Sequence, residues 1–148
     1  MSKRSQSRST ARLAAVQALY QHEMEGTPVA KLIHEFHLHR LGATIEEAEY
    51  AGADVPFFDD IVTGTLARLE EVDAAIVARL AEGWSMDRLD RTLKAILRAG
   101  TFELIGRGDV PIGAVVSEYV DVAKAFFSGR EPGFANGLLD AVAKDVRK

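Results

Sequence analysis

The sequence predicts an all-α protein of about seven helices arranged in two small bundles, and three observations carry that prediction. Apolar residues recur at three- and four-residue intervals along most of the 148-residue chain, the period of a helix with one buried face. No run alternates with the two-residue period of a strand, and there are only four prolines to interrupt helices. The periodic pattern breaks at Gly83-Trp84-Ser85, which divides the chain into sub-bundles of about 11–82 and 84–148 within a single domain.

Met1–Thr10 is rich in Ser and Arg and lacks large apolar residues, so it reads as a basic flexible arm. The first helix then places Leu13, Val16, Leu19 and Tyr20 on one stripe and stops near Gly26. Thr27 is the candidate N-cap of the second helix and Pro28 its first residue, ahead of Val29, Leu32, Ile33 and Phe36. That helix ends around Leu41-Gly42, and Ala43–Asp54 reads as an exposed connection with at most one helical turn.

Asp54 caps a third helix with a face of Phe58, Ile61, Val62, Thr65, Leu66 and Leu69. A fourth segment carries Val72, Ile76, Val77 and Leu80, and spacing leaves open a bend near Glu70–Asp73. Trp84 reads as a hinge residue packed between the two halves, in preference to a ligand-stacking role.

The fifth helix has the longest stripe: Leu89, Leu93, Ile96, Leu97, Gly100 and Leu104. Gly100 costs about 1 kcal/mol against alanine, so a close helix neighbour is expected there. Gly106–Pro111 ends that helix, and the sixth repeats the rhythm with Ile112, Val115, Val116, Tyr119, Ala123 and Phe126. A glycine-rich turn carrying Arg130 leads to the seventh, with Phe134, Leu138, Val142 and Val146. Lys144, Arg147 and Lys148 suit its C-terminal end.

Composition narrows the function. The chain has no cysteine, which removes disulfides, thiolate metal sites and cysteine catalysis and fits a reducing, cytoplasmic setting. No apolar run is long enough to span a membrane. The net charge of −4 is unevenly spread: residues 1–12 carry +4, residues 13–82 carry −9 and residues 83–148 carry +1. A polyanion would therefore be accepted near the start of the chain and repelled by the segment after it.

No catalytic or metal constellation emerges, and no cofactor is called for. His34, His37 and His39 lack the spacing of a zinc-protease motif and read as a solvated face. Arg107-Gly108-Asp109 reads as a helix-ending turn, and the adjacent pairs Asp59-Asp60 and Glu70-Glu71 diverge around their helices. What remains is the basic start of the chain, with Lys3, Arg4, Arg8 and Arg12, the turn Ser128–Gly133, and the aromatics Phe127 and Phe134 close to Lys124 and Arg130. Cations for phosphates and a ring for stacking are the equipment of single-stranded RNA binding. Phe134 could equally be a core residue.

Four stretches carry a family resemblance: ARLAAVQALYQ (Ala11–Gln21), WSMDRLDRTLKAILRAGTFEL (Trp84–Leu104), DVPIGAVVSEYVDVAKAF (Asp109–Phe126) and FANGLLD (Phe134–Asp140). In this order they resemble the NusB family of bacterial transcription antitermination factors, over a little more than a third of the chain. The resemblance implies two helical bundles packed roughly perpendicular. It also implies binding to boxA RNA together with NusE, a small-subunit ribosomal protein, in a complex with NusA, NusG and RNA polymerase on ribosomal RNA operons. It places the arginine-rich opening at Arg8 and Arg12 and the turn-plus-helix element at Arg130 and Phe134. Asn136 and Gly137 fall on the family's Asn-Gly pair and are expected to shape the start of the seventh helix, Asn136 by bonding backbone and Gly137 by permitting close packing. Here Ser9 and Thr10 interrupt the arginine run, and Arg130 stands in a turn that often carries acids in the family.

Arg98 and Glu118 flank the apolar stripes of the fifth and sixth helices and are expected to form an inter-helix ion pair. Two other readings share the predicted fold. One is a targeting module related to the N-terminal domain of some RNA cytosine methyltransferases; the other is a purely protein-binding scaffold.

Overall fold

A computed structural model describes residues 2–39 and 52–147, and among them seven α-helices and one short 3-10 turn form the whole regular structure. The helices are α1 (Lys3–Glu25), α2 (Val29–His39), α3 (Val55–Ala67), α4 (Leu69–Val77), α5 (Arg91–Gly106), α6 (Ile112–Phe126) and α7 (Glu131–Val146). The expected end of the second helix at Leu41-Gly42 and most of the expected connection Ala43–Asp54 lie outside the described residues.

The basic start of the chain is helical, which corrects the expectation of a flexible arm. Ser2 caps α1 by accepting the Ser5 N–H at 3.0 Å. The hydroxyls of Ser7 and Thr10 donate to the carbonyls of Arg4 and Gln6, each at 3.0 Å. Short polar side chains that usually compete with a helix here bond back onto it. At the other end Gly26, with φ of 68°, supplies the left-handed residue that stops the helix.

Asp54 caps α3 as expected, accepting the Phe57 N–H at 3.0 Å. Thr27 does not cap α2; its hydroxyl lies 3.5 Å from Glu25 instead. The break between α3 and α4 falls at Arg68, ahead of the Glu70–Asp73 interval.

At the centre lies α5, which packs against α1, α3, α4, α6 and α7. One apolar cluster therefore runs through both halves of the chain, from Ala15 and Phe58 through Ile96 and Leu97 to Tyr119 and Leu139. Gly100 permits the close approach expected of it: a Cβ there would stand 3.0 Å from Leu139 and 3.3 Å from Tyr119. Gly64 is tighter still, since a Cβ would fall 2.2 Å from the Phe102 ring. Tyr20, Val77 and Phe126, placed on buried stripes from spacing, lie at the stripe edges and are exposed.

Trp84 does not close the joint between the halves. It is 54% exposed, and its ring lies 5.7 Å from the Arg88 guanidinium. With Gly83 at φ 90° the chain turns outward here, and the core is closed by α5 itself.

Candidate nucleic-acid interface

Arg4, Arg8 and Arg12 recur every fourth residue along α1 and so share one side of the helix. Their burial increases turn by turn. Arg4 is exposed, Arg8 is half-buried, and Arg12 is only 4% exposed. The gradient arises because the later turns of α1 enter the contact with α3 and α5.

Arg12 is thereby removed from the surface, which corrects its assignment as a phosphate contact. Its Nε and Nη2 donate to Glu103 at 2.9 and 2.7 Å, and Nη1 donates to Glu118 at 3.1 Å. Glu103 is fully buried and also accepts from the Tyr119 hydroxyl at 2.8 Å, while Ser9 donates to Glu118 at 2.6 Å. Burial opposes the charged Arg12 guanidinium, but the hydrogen bonds and charge of Glu103 outweigh it and leave the pKa raised. The Tyr119 hydroxyl is pushed well up, by burial first and by the Glu103 carboxylate second. This polar seam ties α1 to α5 and α6.

Glu118 is therefore committed to α1, and the expected Arg98–Glu118 pair does not form. Arg98 instead makes a bidentate pair with Asp73 of α4, at 2.9 and 2.8 Å, with Glu23 at 3.9 Å. The two residues flank their stripes on opposite sides of the contact, so each takes a partner from the element nearest to it.

Arg8 has a different setting. Its Nε reaches Asp54 at 3.5 Å, a long single contact, and its guanidinium lies 4.4 Å from the centre of the buried Phe57 ring. Arg12 and Arg107 approach the same ring at 4.9 and 5.0 Å. Three guanidiniums thus share one aromatic ring at the junction of α1, α3 and the α5–α6 turn. In that turn Arg107 donates to both Asp109 oxygens at 3.1 Å, and to Asp60 at 3.1 Å. The Arg107 hydrogen bonds hold the Asp109 carboxyl below its ordinary range. Arg107-Gly108-Asp109 is the helix-ending turn the sequence predicts.

The other predicted element lies at the α6–α7 turn. Arg130 occupies the N-cap position of α7 and is exposed, and Phe134, one turn in, is 40% exposed. The structure leaves Phe134 outside the buried core while Ala135, Leu138 and Leu139 behind it fill the contact with α5 and α6. Lys124 is also exposed near this end of α6.

Asn136 and Gly137 do not act as expected. The helix begins at Glu131, so both lie within its body, and both are exposed. The Asn136 side chain makes no hydrogen bond with a described residue; it borders a shallow groove with Ile112, Val116, Val120 and Asp140. A Cβ at Gly137 would meet nothing within 4 Å, so no close packing needs it.

Sequence reasoning missed Arg147. Its guanidinium donates to the carbonyls of Glu103, Leu104, Arg107 and Val110 at 2.6–3.2 Å, satisfying the C-terminal end of α5 and the turn after it. The only signal was a basic residue late in α7, which suits that helix's own dipole as well. His37 Nε2 lies 2.7 Å from Asp59 and His34 is exposed, while the His39 side chain lies outside the described residues.

Taken together, a core built around one central helix defines a small all-helical protein, with the exposed cations of the predicted RNA contacts at the start of α1 and the start of α7. The comparisons are more specific. A family model described as the NusB family matches residues 9–144. The chain is 82% identical over 148 residues to the transcription antitermination protein NusB of Sphingopyxis alaskensis, covering 100% of this chain and 99% of the relative. It is 52% identical over 144 residues to that of Caulobacter vibrioides, covering 97% of each. Among solved structures, NusB of T. maritima superposes with a TM-score of 0.79 at 28% identity, covering 95% of this chain and 93% of that one. A chain in the crystal structure of antitermination factors NusB and NusE with double-stranded RNA gives 0.74 at 26% identity, covering 93% and 96%. The chain belongs to the NusB family.

Proposed function

We propose that this protein is a transcription antitermination factor that binds boxA-type single-stranded RNA together with NusE. It acts as a cytoplasmic adaptor, not an enzyme, and joins NusA, NusG and RNA polymerase on ribosomal RNA operons. The observation that carries the reading is the first half of α1. On a chain of net charge −4, that helix presents Lys3, Arg4 and Arg8 and contains no acid before Glu23. Arg130 and Phe134 form the second contact, a cation beside an exposed ring, suited to a phosphate and an unstacked base.

Support comes also from the relatives, which are named for antitermination, and from the related NusB chain held with NusE and RNA. No described helix is long and apolar enough to cross a membrane. The test is RNA binding with and without NusE, comparing boxA RNA with a scrambled sequence. Neutralising about four phosphates gives a slope of log K against log salt near −3 for single-stranded RNA. Equal binding to both RNAs, or a flat salt response, would remove the reading.

A further inference from the structure

We infer that Asp54 is a built-in competitor of the RNA backbone for Arg8, and so sets how much RNA contact is needed before Arg8 is used. The inference rests on the RNA-binding reading above.

Asp54 is fixed from two sides. Its N–H donates to the Ser7 carbonyl at 3.0 Å, which fixes its backbone beside the residue preceding Arg8. One carboxylate oxygen, Oδ1, accepts the Phe57 N–H at 3.0 Å and caps α3. The other, Oδ2, faces Arg8 Nε at 3.5 Å. Helix capping and the Ser7 contact therefore hold the carboxylate in place whether or not Arg8 is present.

The carboxylate in turn holds Arg8 only loosely, although the guanidinium also lies 4.4 Å from the Phe57 ring centre. A guanidinium has five N–H donors in a fork that matches a phosphate. Only one of those donors is used here, at the longest distance of any arginine–carboxylate hydrogen bond among the described residues. Arg12, Arg68, Arg79, Arg98 and Arg107 all donate to carboxylates at 3.1 Å or less. The Arg8 side chain is 18% exposed and that of Asp54 23%, so solvent and a ligand can reach both. Asp109 adds a second negative charge that Arg8 feels.

A weak carboxylate partner that cannot leave, set against a cation that can, makes exchange for a phosphate inexpensive in structural terms. Arg8 trades one long contact for a bidentate one, and α3 keeps its cap. An RNA held only by Arg8 gains little over Asp54, whereas one already anchored through Arg4 and Arg130 gains the full contact. Asp54 thus discriminates against weakly anchored RNA.

The experiment measures RNA affinity across a salt series for the wild type, Asp54→Asn, Arg8→Ala and the double variant, each with NusE present. Asparagine caps helices as well as aspartate, so α3 is retained; Asp54→Ser, another good cap, guards against a folding artefact. We expect Asp54→Asn to tighten binding roughly two- to fivefold, the size of a weak ion pair that solvent still reaches. The salt slope should stay near the wild-type value, because Arg8 reaches the phosphate in both and only its competitor is removed. The tightening should vanish in the Arg8→Ala background. Unchanged or weaker binding by Asp54→Asn and Asp54→Ser overturns the inference alone, as does tightening that persists without Arg8. Failure of the wild type to bind RNA would instead overturn the functional reading, and the inference with it.

Discussion

Arg12 and Arg130 are the same side chain in two opposite settings. Arg12 sits in the seam beneath α1, bound to a fully buried glutamate and nine-tenths hidden. Arg130 stands at the exposed start of α7, where no described side chain takes its guanidinium. In the linear sequence both are arginines beside an apolar helix, and both suit an RNA phosphate. The difference is a buried partner: Glu103 lies on α5, ninety-one residues further along. A buried charge commits its residue to structure, and only the exposed region is left to bind.

The sharpest way to break the comparison is to empty the seam. Glu103→Ala leaves the Arg12 charge without its main partner, and the loss should be about 3–5 kcal/mol by denaturant unfolding. Replacing the whole set by Arg12→Met, Glu103→Leu and Tyr119→Phe should recover most of that loss, because apolar groups of similar volume need no partners. If the single variant costs no more than a surface substitution, the seam is not the anchor its geometry suggests.

The same seam carries a pH signature. The Tyr119 pKa is raised in the folded state above its ordinary value near 10, first by burial. Its neutral form is therefore favoured by folding, so the stabilisation is complete below about pH 10 and is lost as pH rises above that. In Tyr119→Phe the alkaline decline in stability should be shallower. The variant should also cost about 1.5–3 kcal/mol at neutral pH, the worth of a hydrogen bond to a charged group.

These contrasts define what the sequence could reveal. Helical period alone located α5 and α6, because Leu93, Ile96, Leu97, Val115 and Tyr119 all face one core. Asp54 was legible because a cap is a local interaction. The partners of Arg12, Arg98, Glu118 and Arg147 were not, since each is fixed by helices distant in sequence. Trp84 failed for a related reason: a large ring at a break in the pattern suggests a buried hinge, but a positive-φ glycine beside it turns the chain out. For the candidate RNA contacts, accessibility was not legible: Arg12 is buried while Arg130 is exposed.

Glycines sharpen the comparison between buried and exposed regions by a smaller amount. Gly64→Ala would drive a Cβ into the Phe102 ring, where 2.2 Å is available, and should destabilise by about 1–3 kcal/mol. Gly137→Ala meets nothing within 4 Å in the body of α7 and should stabilise by about 0.5–1 kcal/mol. Thermal unfolding of the two variants should move in opposite directions. A shared direction would mean that accessibility around Gly137 is not what the structure gives it.

The smallest expected effect on stability falls on the exposed region, and it is the most telling. Arg130→Ala and Phe134→Ala remove side chains that the core does not use, so each should change unfolding free energy by only about 0.5 kcal/mol. Their effect on RNA should be larger. Loss of the ring should weaken binding by about 1–3 kcal/mol, the range for one base stacked on an aromatic side chain. Loss of the guanidinium should reduce the salt slope by about 0.7. The two readouts must separate, with little change in stability and a clear change in affinity. If Phe134→Ala instead destabilises by several kcal/mol and leaves RNA binding alone, the ring belongs to the packing of α7, and the division between a structural seam and a binding turn fails at that residue.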